Sequence, residues 1–157
     1  MQYAKALGYR VAAIARGTDK AELVAQLGAD EYVDGTGVDP GQALQKLGGA
    51  AAVVATAASG SSMSPLVAGL APRGKMVVVG AGQDPISVAT PDLIFGTHTI
   101  TGSLTGSAIE NEDSLAFAAT RGVRPMNEVV PWTDAPQAYE RMMSGKARSR
   151  VVLDLAA

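Results

Sequence analysis

The residues able to do chemistry sit at the ends of short apolar runs. Ala15-Arg16-Gly17-Thr18-Asp19-Lys20 follows the run Arg10 to Ala15. An acidic residue closing such a strand would bind a ribose diol. A small residue followed by Arg and a nearby Lys instead leaves room and positive charge for a 2′-phosphate. Solvated charges in a βα turn are the alternative, and spacing alone does not choose between the two. Thr56-Ala-Ala-Ser-Gly60 has small side chains that permit close approach of a flat ring, but taken alone they favour tight packing of a helix on a strand. Gly80-Ala-Gly82-Gln-Asp-Pro85 imitates the start of a dinucleotide fingerprint, but Pro85 replaces the third glycine and Ile86-Ser-Val88 reads as extended. It is rejected as a phosphate loop, because that mechanism needs a helix N-terminus aimed at the phosphates. Gly102-Ser-Leu-Thr-Gly106 is a generic glycine-rich turn.

Composition narrows the chemistry further. The 157 residues contain no cysteine and one histidine, His98, so a thiolate zinc site, a disulfide framework and a cysteine nucleophile are excluded. His98 has no second histidine at metal-ligand spacing and no Gly-x-Ser-x-Gly elbow to serve, so a structural or surface role is expected. Asp84, Asp92, Glu110, Glu112 and Asp113 show no pairing suited to acid–base work. Lys146, Arg148 and Arg150 could meet a phosphate or flank the negative end of the last helix. Thirteen Lys and Arg against 15 Asp and Glu give a net charge of −2, which provides no footprint for nucleic acid or anionic lipid. With no apolar run of the ~18 residues that span a bilayer, the chain reads as soluble and cytoplasmic.

The elements that must position these residues alternate. A strand over Arg10 to Ala15 precedes a helix with Asp19 as cap, Leu23, Val24 and Leu27 inward and Gly28 as its left-handed stop. A strand near Asp30 to Val33 precedes a helix capped by Asp39, with Pro40 in its first turn and Gly48 at its exit. The strand Ala51 to Ala55 feeds a helix whose stripe is Met63, Leu66, Val67 and Leu70, ended by the turn Ala71-Pro-Arg-Gly74. Met76 to Val79 reads as the next strand. A helical turn opened by Pro91 and a strand near His98 to Gly102 follow. This alternation predicts an α/β fold with a parallel sheet and helices on both faces. The last third predicts a helix from Asn111 to Thr120, an extended piece at Asn127 to Val130, a helix from Asp134 to Met143 with a Gln137 capping box, and a strand from Arg150 to Leu155. One compact unit is expected, with no repeat or linker.

Taken together, these segments resemble the cofactor domain of medium-chain, zinc-dependent alcohol dehydrogenases, in particular the cinnamyl-alcohol-dehydrogenase-like branch. The resemblance rests on the order and spacing of Gln2-Tyr-Ala-Lys-Ala-Leu-Gly8, Ala13-Ile-Ala-Arg-Gly17, Leu27-Gly-Ala-Asp30, Leu70-Ala-Pro-Arg-Gly-Lys75, Val77-Val-Val-Gly80, Ile100-Thr-Gly-Ser103 and Ala138-Tyr-Glu-Arg-Met142 to Arg150-Val-Val-Leu153. It implies a Rossmann-like sheet that lacks the family's first strand and its Gly-x-Gly-x-x-Gly loop. The chain then begins part-way along the first helix, and residues from about 123 to 157 form the return segment. Met1 falls where the family often has Val.

By the same resemblance, Arg16 and Lys20 match adenosine-ribose contacts, and Thr56 and Ala57 match the adenine and nicotinamide-ribose region. Val79, Gly80, Ala81, Ser103 and Thr105 match contacts to the nicotinamide carboxamide, and Arg150 matches a basic residue that reaches the pyrophosphate. Because Ala15 stands where an NAD-selecting acid is usual, the resemblance implies NADP, with NAD as the alternative. It implies hydride transfer between an alcohol or aldehyde and the nicotinamide, with zinc held by a domain outside these residues. No catalytic or metal-binding residue is expected in this chain. Expected partners are a nicotinamide dinucleotide and a second copy joined through the edge strand at Thr99 to Ser103. Three readings follow: a dehydrogenase part inactive by itself, a non-catalytic binding or dimerisation module, and a small α/β enzyme using His98.

Overall fold

Small and β-branched runs form the strands, and the polar turns between them carry the helices. In the computed structural model, residues 1–156 are described. The chain divides into two compact units, Met1–Glu110 and Asn111–Ala157. The first unit contains α1 (Gln2–Ala6), β1 (Ala12–Ala15), α2 (Ala21–Gln26), β2 (Glu31–Asp34), α3 (Pro40–Lys46), β3 (Ala50–Ala55), α4 (Gly60–Met63), β4 (Leu70–Val78), α5 (Thr90–Gly96) and β5 (Thr99–Gly102). Helix α6 (Ala108–Arg121) follows, and the second unit then holds β6 (Asn127–Pro131), α7 (Ala135–Met143) and β7 (Arg150–Asp154).

The α/β class with parallel strands flanked by helices is as expected, and every pairing among the described residues is parallel. The strands nevertheless form three sheets rather than one: β1-β2, β3-β4-β5 and β6-β7. Within the first unit, β1 and β3 do not pair with each other, so each keeps one free backbone edge among the described residues. Strand β3 also has an open face, on which Val54 is 66% exposed.

Both sheets of the first unit contribute to one core. Met63, Val67, Leu70 and Met76 are fully buried. They join Leu44, Ala55 and Leu66, with Ala12 and Ile14 of β1 and Val53 of β3 packed against them. The stripe Met63, Leu66, Val67, Leu70 is thus buried as its period predicts, but it is not one helix. Pro65 ends α4 after one turn, a 3-10 turn covers Ser64–Leu66, and Leu70 already opens β4. A proline lacks the N–H that a continuing helix would use, and its ring crowds the preceding turn. The expected turn Ala71 to Gly74 lies inside β4 as an irregularity, where the register jumps from Ala50↔Leu70 to Ala52↔Lys75 and Arg73 takes φ +62°.

Helix ends show where local signals hold and where they fail. Asp39 caps α3, its carboxylate accepting from Gln42 N at 2.8 Å. Asp19 does not cap α2: Lys20 is the cap residue, and no side chain bonds to the helix start. The carbonyl of Thr18 takes the Ala21 N–H instead, at 3.1 Å. The Gln137 box is likewise absent, because a 3-10 turn at Trp132–Asp134 leads straight into α7 and Asp134 makes no side-chain cap bond. A box that sequence reasoning missed starts α6 three residues earlier than expected. Glu110 Oε2 accepts from Ser107 N at 2.6 Å and from Ser107 Oγ at 2.7 Å. The signal was present as Ser107-Ala-Ile-Glu110.

In the second unit, α7 connects the parallel pair β6 and β7 and buries Ala138. Glu128 of β6 holds Arg141 of α7 by two contacts, 3.0 Å to Nε and 3.2 Å to Nη2, and accepts from Arg148 N at 2.6 Å.

Candidate functional site

The turn after β1 is fixed by its neighbour. Strand β2 lies beside β1 in the register Ala13↔Tyr32 and Ala15↔Asp34. Gly17, at φ +76°, is in the left-handed region that a side chain would strain. Its N–H donates to Asp34 Oδ1 at 2.8 Å, and its carbonyl accepts from the Tyr32 hydroxyl at 2.5 Å. Asp34 Oδ1 also accepts from Thr36 N at 2.9 Å and Thr36 Oγ1 at 2.7 Å. These donors, the Thr36 hydroxyl foremost, hold the Asp34 carboxyl below its ordinary value. Partial burial, then the carboxylates of Asp34 and Asp19, push the Tyr32 phenol up. Arg16 and Lys20 on this turn are exposed, and neither side chain has an ion pair or hydrogen bond to a described residue.

A second cluster forms at the carboxyl ends of β3, β4 and β5. The Ala55 carbonyl accepts from both Val79 N and Gly80 N at 3.0 Å, and Ser103 N donates to the Val78 carbonyl at 2.9 Å. These bonds bring Thr56, Ala57, Val79, Gly80, Ala81 and Ser103 into adjoining loops. A Cβ on Gly80 would come within 2.1 Å of the Ala57 carbonyl oxygen, so only glycine lets the two loops meet. The loop residues Thr56, Ala57, Val79, Ala81 and Ser103 are exposed, which leaves a small-residue surface open to a flat ligand.

The stretch from Gly80 to Pro85 serves the fold in another way. No helix follows it, in keeping with its rejection as a phosphate loop, since β4 ends at Val78 and the next helix starts at Thr90. Asp84 instead closes the start of α4: its Oδ2 accepts from Ser61 N at 2.8 Å and from Ser59 Oγ at 3.3 Å. The Ser61 N–H, followed by that of Gly60, holds the Asp84 carboxyl far below the usual carboxylate range. The Gly60 and Ser61 N–H groups of that helix start are therefore satisfied by a carboxylate of the chain itself, and the Ser62 N–H donates to Ser59 Oγ at 3.3 Å.

Thr105 is exposed in the segment after β5, with no hydrogen bond to a described residue. Arg150 is the first residue of β7 in the second unit. His98 is half-buried just before β5, with its ring against Gly96 and its Nδ1 buried without a hydrogen-bond partner. An open groove of about 550 Å³ runs between β2 and α3, lined by Tyr32, Asp34, Val38, Gln42 and Lys46. It contains none of the candidate cofactor contacts.

Asp30, Asp34, Asp84, Glu110 and Glu128 all have carboxyls held below their ordinary values by hydrogen bonds or cation partners. For Asp30 the largest cause is the Lys5 ammonium at 2.6 Å. A depressed folded-state value adds stability that is fully present above the unfolded value and is lost as pH falls toward the folded one. The chain is therefore expected to keep its thermal midpoint from about pH 7 to about pH 5 and to lose it steadily below about pH 4. Melting curves followed by circular dichroism test this, and a midpoint unchanged down to about pH 2 contradicts it.

Comparison with known proteins agrees with this architecture. A family model described as zinc-binding dehydrogenase matches residues 1–120. The alcohol dehydrogenase notN of Aspergillus sp. (strain MF297-2) is 38% identical over 155 residues, which are 99% of this chain and 45% of that protein. An alcohol dehydrogenase of Geobacillus stearothermophilus is 34% identical over 154 residues, 98% of this chain and 46% of that protein. The solved structure of a cinnamyl alcohol dehydrogenase from Sorghum bicolor superposes with a TM-score of 0.82 at 33% identity, covering 99% of this chain and 44% of that one. The chain thus spans less than half the length of the relatives it matches.

Proposed function

The chain belongs to the zinc-binding dehydrogenase family, and from that premise we propose that it is the nicotinamide-dinucleotide-binding part of an alcohol dehydrogenase or aldehyde reductase, inactive by itself. Residues 1–157 serve in this reading as one Rossmann-like nucleotide-binding domain without its first strand and phosphate loop. The observation that carries it is the union of the loops after β3, β4 and β5 through Ala55, Val79, Gly80 and Ser103. In open parallel sheets such strand ends are where a dinucleotide lies. Thr56 and Ala57 then meet the adenine and nicotinamide-ribose region, Val79, Gly80, Ala81, Ser103 and Thr105 the carboxamide, and Arg150 the pyrophosphate. Arg16 and Lys20 face the adenosine ribose. With Ala15 in place of an acid, their free charges favour NADP over NAD.

When bound, the nicotinamide accepts or donates a hydride. The residues of this chain bind and orient it. The zinc of the family does not fit these residues. They include no cysteine and one histidine, and no group of three or more His, Cys, Asp or Glu among the described residues could hold a metal. No catalytic step is therefore assigned to a side chain of this chain. The free edge of β1 and β3 and the open face at Val54 support the same reading, since both are surfaces that a further segment of a dehydrogenase would cover.

The outer edge of β5 supports a second reading, a non-catalytic dimerisation module. Strand β5 is terminal in its sheet, and Thr99, Thr101 and Gly102 are exposed. An unpaired edge invites pairing with a second copy. We place the protein in the cytoplasm, without nucleic-acid or membrane partners; no helix among the described residues is long and apolar enough to cross a membrane. Alcohol-dependent reduction of NADP and NAD by the chain joined to the rest of a dehydrogenase separates the two readings: activity supports the first, and a folded, inactive dimer the second.

A further inference from the structure

We propose that Tyr32 and Asp34 are specificity-determining positioning residues, which fix Gly17 so that Arg16 is presented to a ribose 2′-phosphate. The inference rests on the dinucleotide reading above and adds to it the residues that make the turn selective.

Three bonds tie the turn after β1 to β2 and the residue that follows it. Gly17 gives its N–H to Asp34 and its carbonyl to the Tyr32 hydroxyl, at 2.8 and 2.5 Å. Gly35 N donates to the Ala15 carbonyl at 2.9 Å, and the β1–β2 register places Ala15 opposite Asp34. Thr36, through its N–H and hydroxyl on Asp34 Oδ1, holds the carboxylate itself in place. Arg16 therefore lies between two residues whose backbones are both fixed, while its own side chain is exposed and bonds to no described residue.

A guanidinium on a loose loop loses freedom of both backbone and side chain when it meets a phosphate. On a held turn only the side chain is ordered, so more of the interaction appears as affinity. Asp34 matters for a second reason. It is a carboxylate beside the turn, and left free it would repel a phosphate and attract a ribose diol. Three donors converge on its Oδ1, which spends that oxygen on the turn instead of on a ligand. Asp19 is the opposing charge, its Oδ1 lying 3.2 Å from where a Gly17 Cβ would be. Discrimination therefore depends on how firmly Arg16 is held, since the net charge of the turn alone is weak.

The test is a pair of nuclear magnetic resonance titrations of the 157-residue chain, one with adenosine 2′-monophosphate and one with adenosine 5′-monophosphate. The wild-type chain is expected to bind the 2′-isomer about tenfold more tightly, and Arg16→Ala to abolish the preference. Tyr32→Phe and Asp34→Ala are each expected to weaken the 2′-isomer about three- to tenfold with the 5′-isomer unchanged. Asp34→Asn, whose amide oxygen still accepts from Gly17, is expected to recover part of the loss. A purely structural role would weaken both nucleotides together, so the split between isomers is the deciding readout. Wild-type preference that survives in both Tyr32→Phe and Asp34→Ala but is lost in Arg16→Ala overturns this inference and leaves the phosphate reading standing. No preference in the wild-type chain overturns the phosphate reading and the inference with it. Tyr32→Phe retains the ring and covers the case in which Asp34→Ala does not fold.

Discussion

Met76→Ala is expected to lower the unfolding free energy of the first unit by about 2–5 kcal/mol. Met76 is 0% exposed and lies in β4, where it pairs with Val53 of β3 and Ile100 of β5. Its side chain joins Met63, Val67 and Leu70 in the core against which strands of both sheets pack. Truncation removes the transfer energy of the lost atoms and leaves a cavity that a sheet strand cannot easily close. A domain of this size has about 5–15 kcal/mol in total, so the variant should approach the unfolding threshold. Urea denaturation monitored by circular dichroism measures the change. A loss under about 1 kcal/mol would contradict the assignment of Met76 to the centre of the core.

The second large effect concerns function. The 157-residue chain is expected to bind NADPH only in the millimolar range and to show no alcohol-dependent reduction of NADP or NAD. Dinucleotide sites of this class place the pyrophosphate on backbone N–H groups at a helix N-terminus after a Gly-x-Gly-x-x-Gly turn, and this chain contains no such turn. Losing those contacts amounts to several kcal/mol, and about 4 kcal/mol separates micromolar from millimolar affinity. The start of α4 offers no substitute, because Asp84 already occupies its N–H groups. Activity is expected when the chain replaces the matching segment of the Geobacillus stearothermophilus alcohol dehydrogenase, of which it covers 46%. Calorimetry and a spectrophotometric assay of both forms test the pair of expectations. Turnover by the chain alone would refute the need for the rest of a dehydrogenase, whereas a folded but inactive hybrid that dimerises would favour the module reading.

Much of the fold was legible because it is written in local patterns. Apolar runs located the strands, the Asp39-Pro40 pair marked the start of α3, and the stripe Met63 to Leu70 named four buried residues. The failures have physical causes. Pro65 broke a helix whose burial pattern continued past it into β4, so periodicity outlived the element that should have produced it. Asp19 and Gln137 matched capping spacings, yet backbone carbonyls and a 3-10 turn took over the helix starts. The gap between β1 and β3 is not written in the composition of either strand, but it agrees with the resemblance, which implies a sheet lacking its first strand. The candidate site divides in the same way. Arg16 and Lys20 were visible as charges after a strand, while the hold of Tyr32 and Asp34 on Gly17 crosses 15 and 17 residues of sequence and emerges only from the parallel register. Gly80 stands both in the false fingerprint and among the carboxamide contacts that the resemblance implies, and its close approach to Ala57 is what demands a glycine there.

We propose that the turn after β1 and the loops after β3, β4 and β5 form a nicotinamide-dinucleotide site. The most direct measurement is a residue-resolved amide titration of the chain with NADPH and, separately, with NADH. Shifts are expected to concentrate at Gly17, Thr56, Ala57, Gly80 and Ser103, with half-saturation at about millimolar NADPH and weaker shifts at Gly17 with NADH. Shifts confined to other residues, or none at these five up to about 10 mM of either dinucleotide, would contradict it.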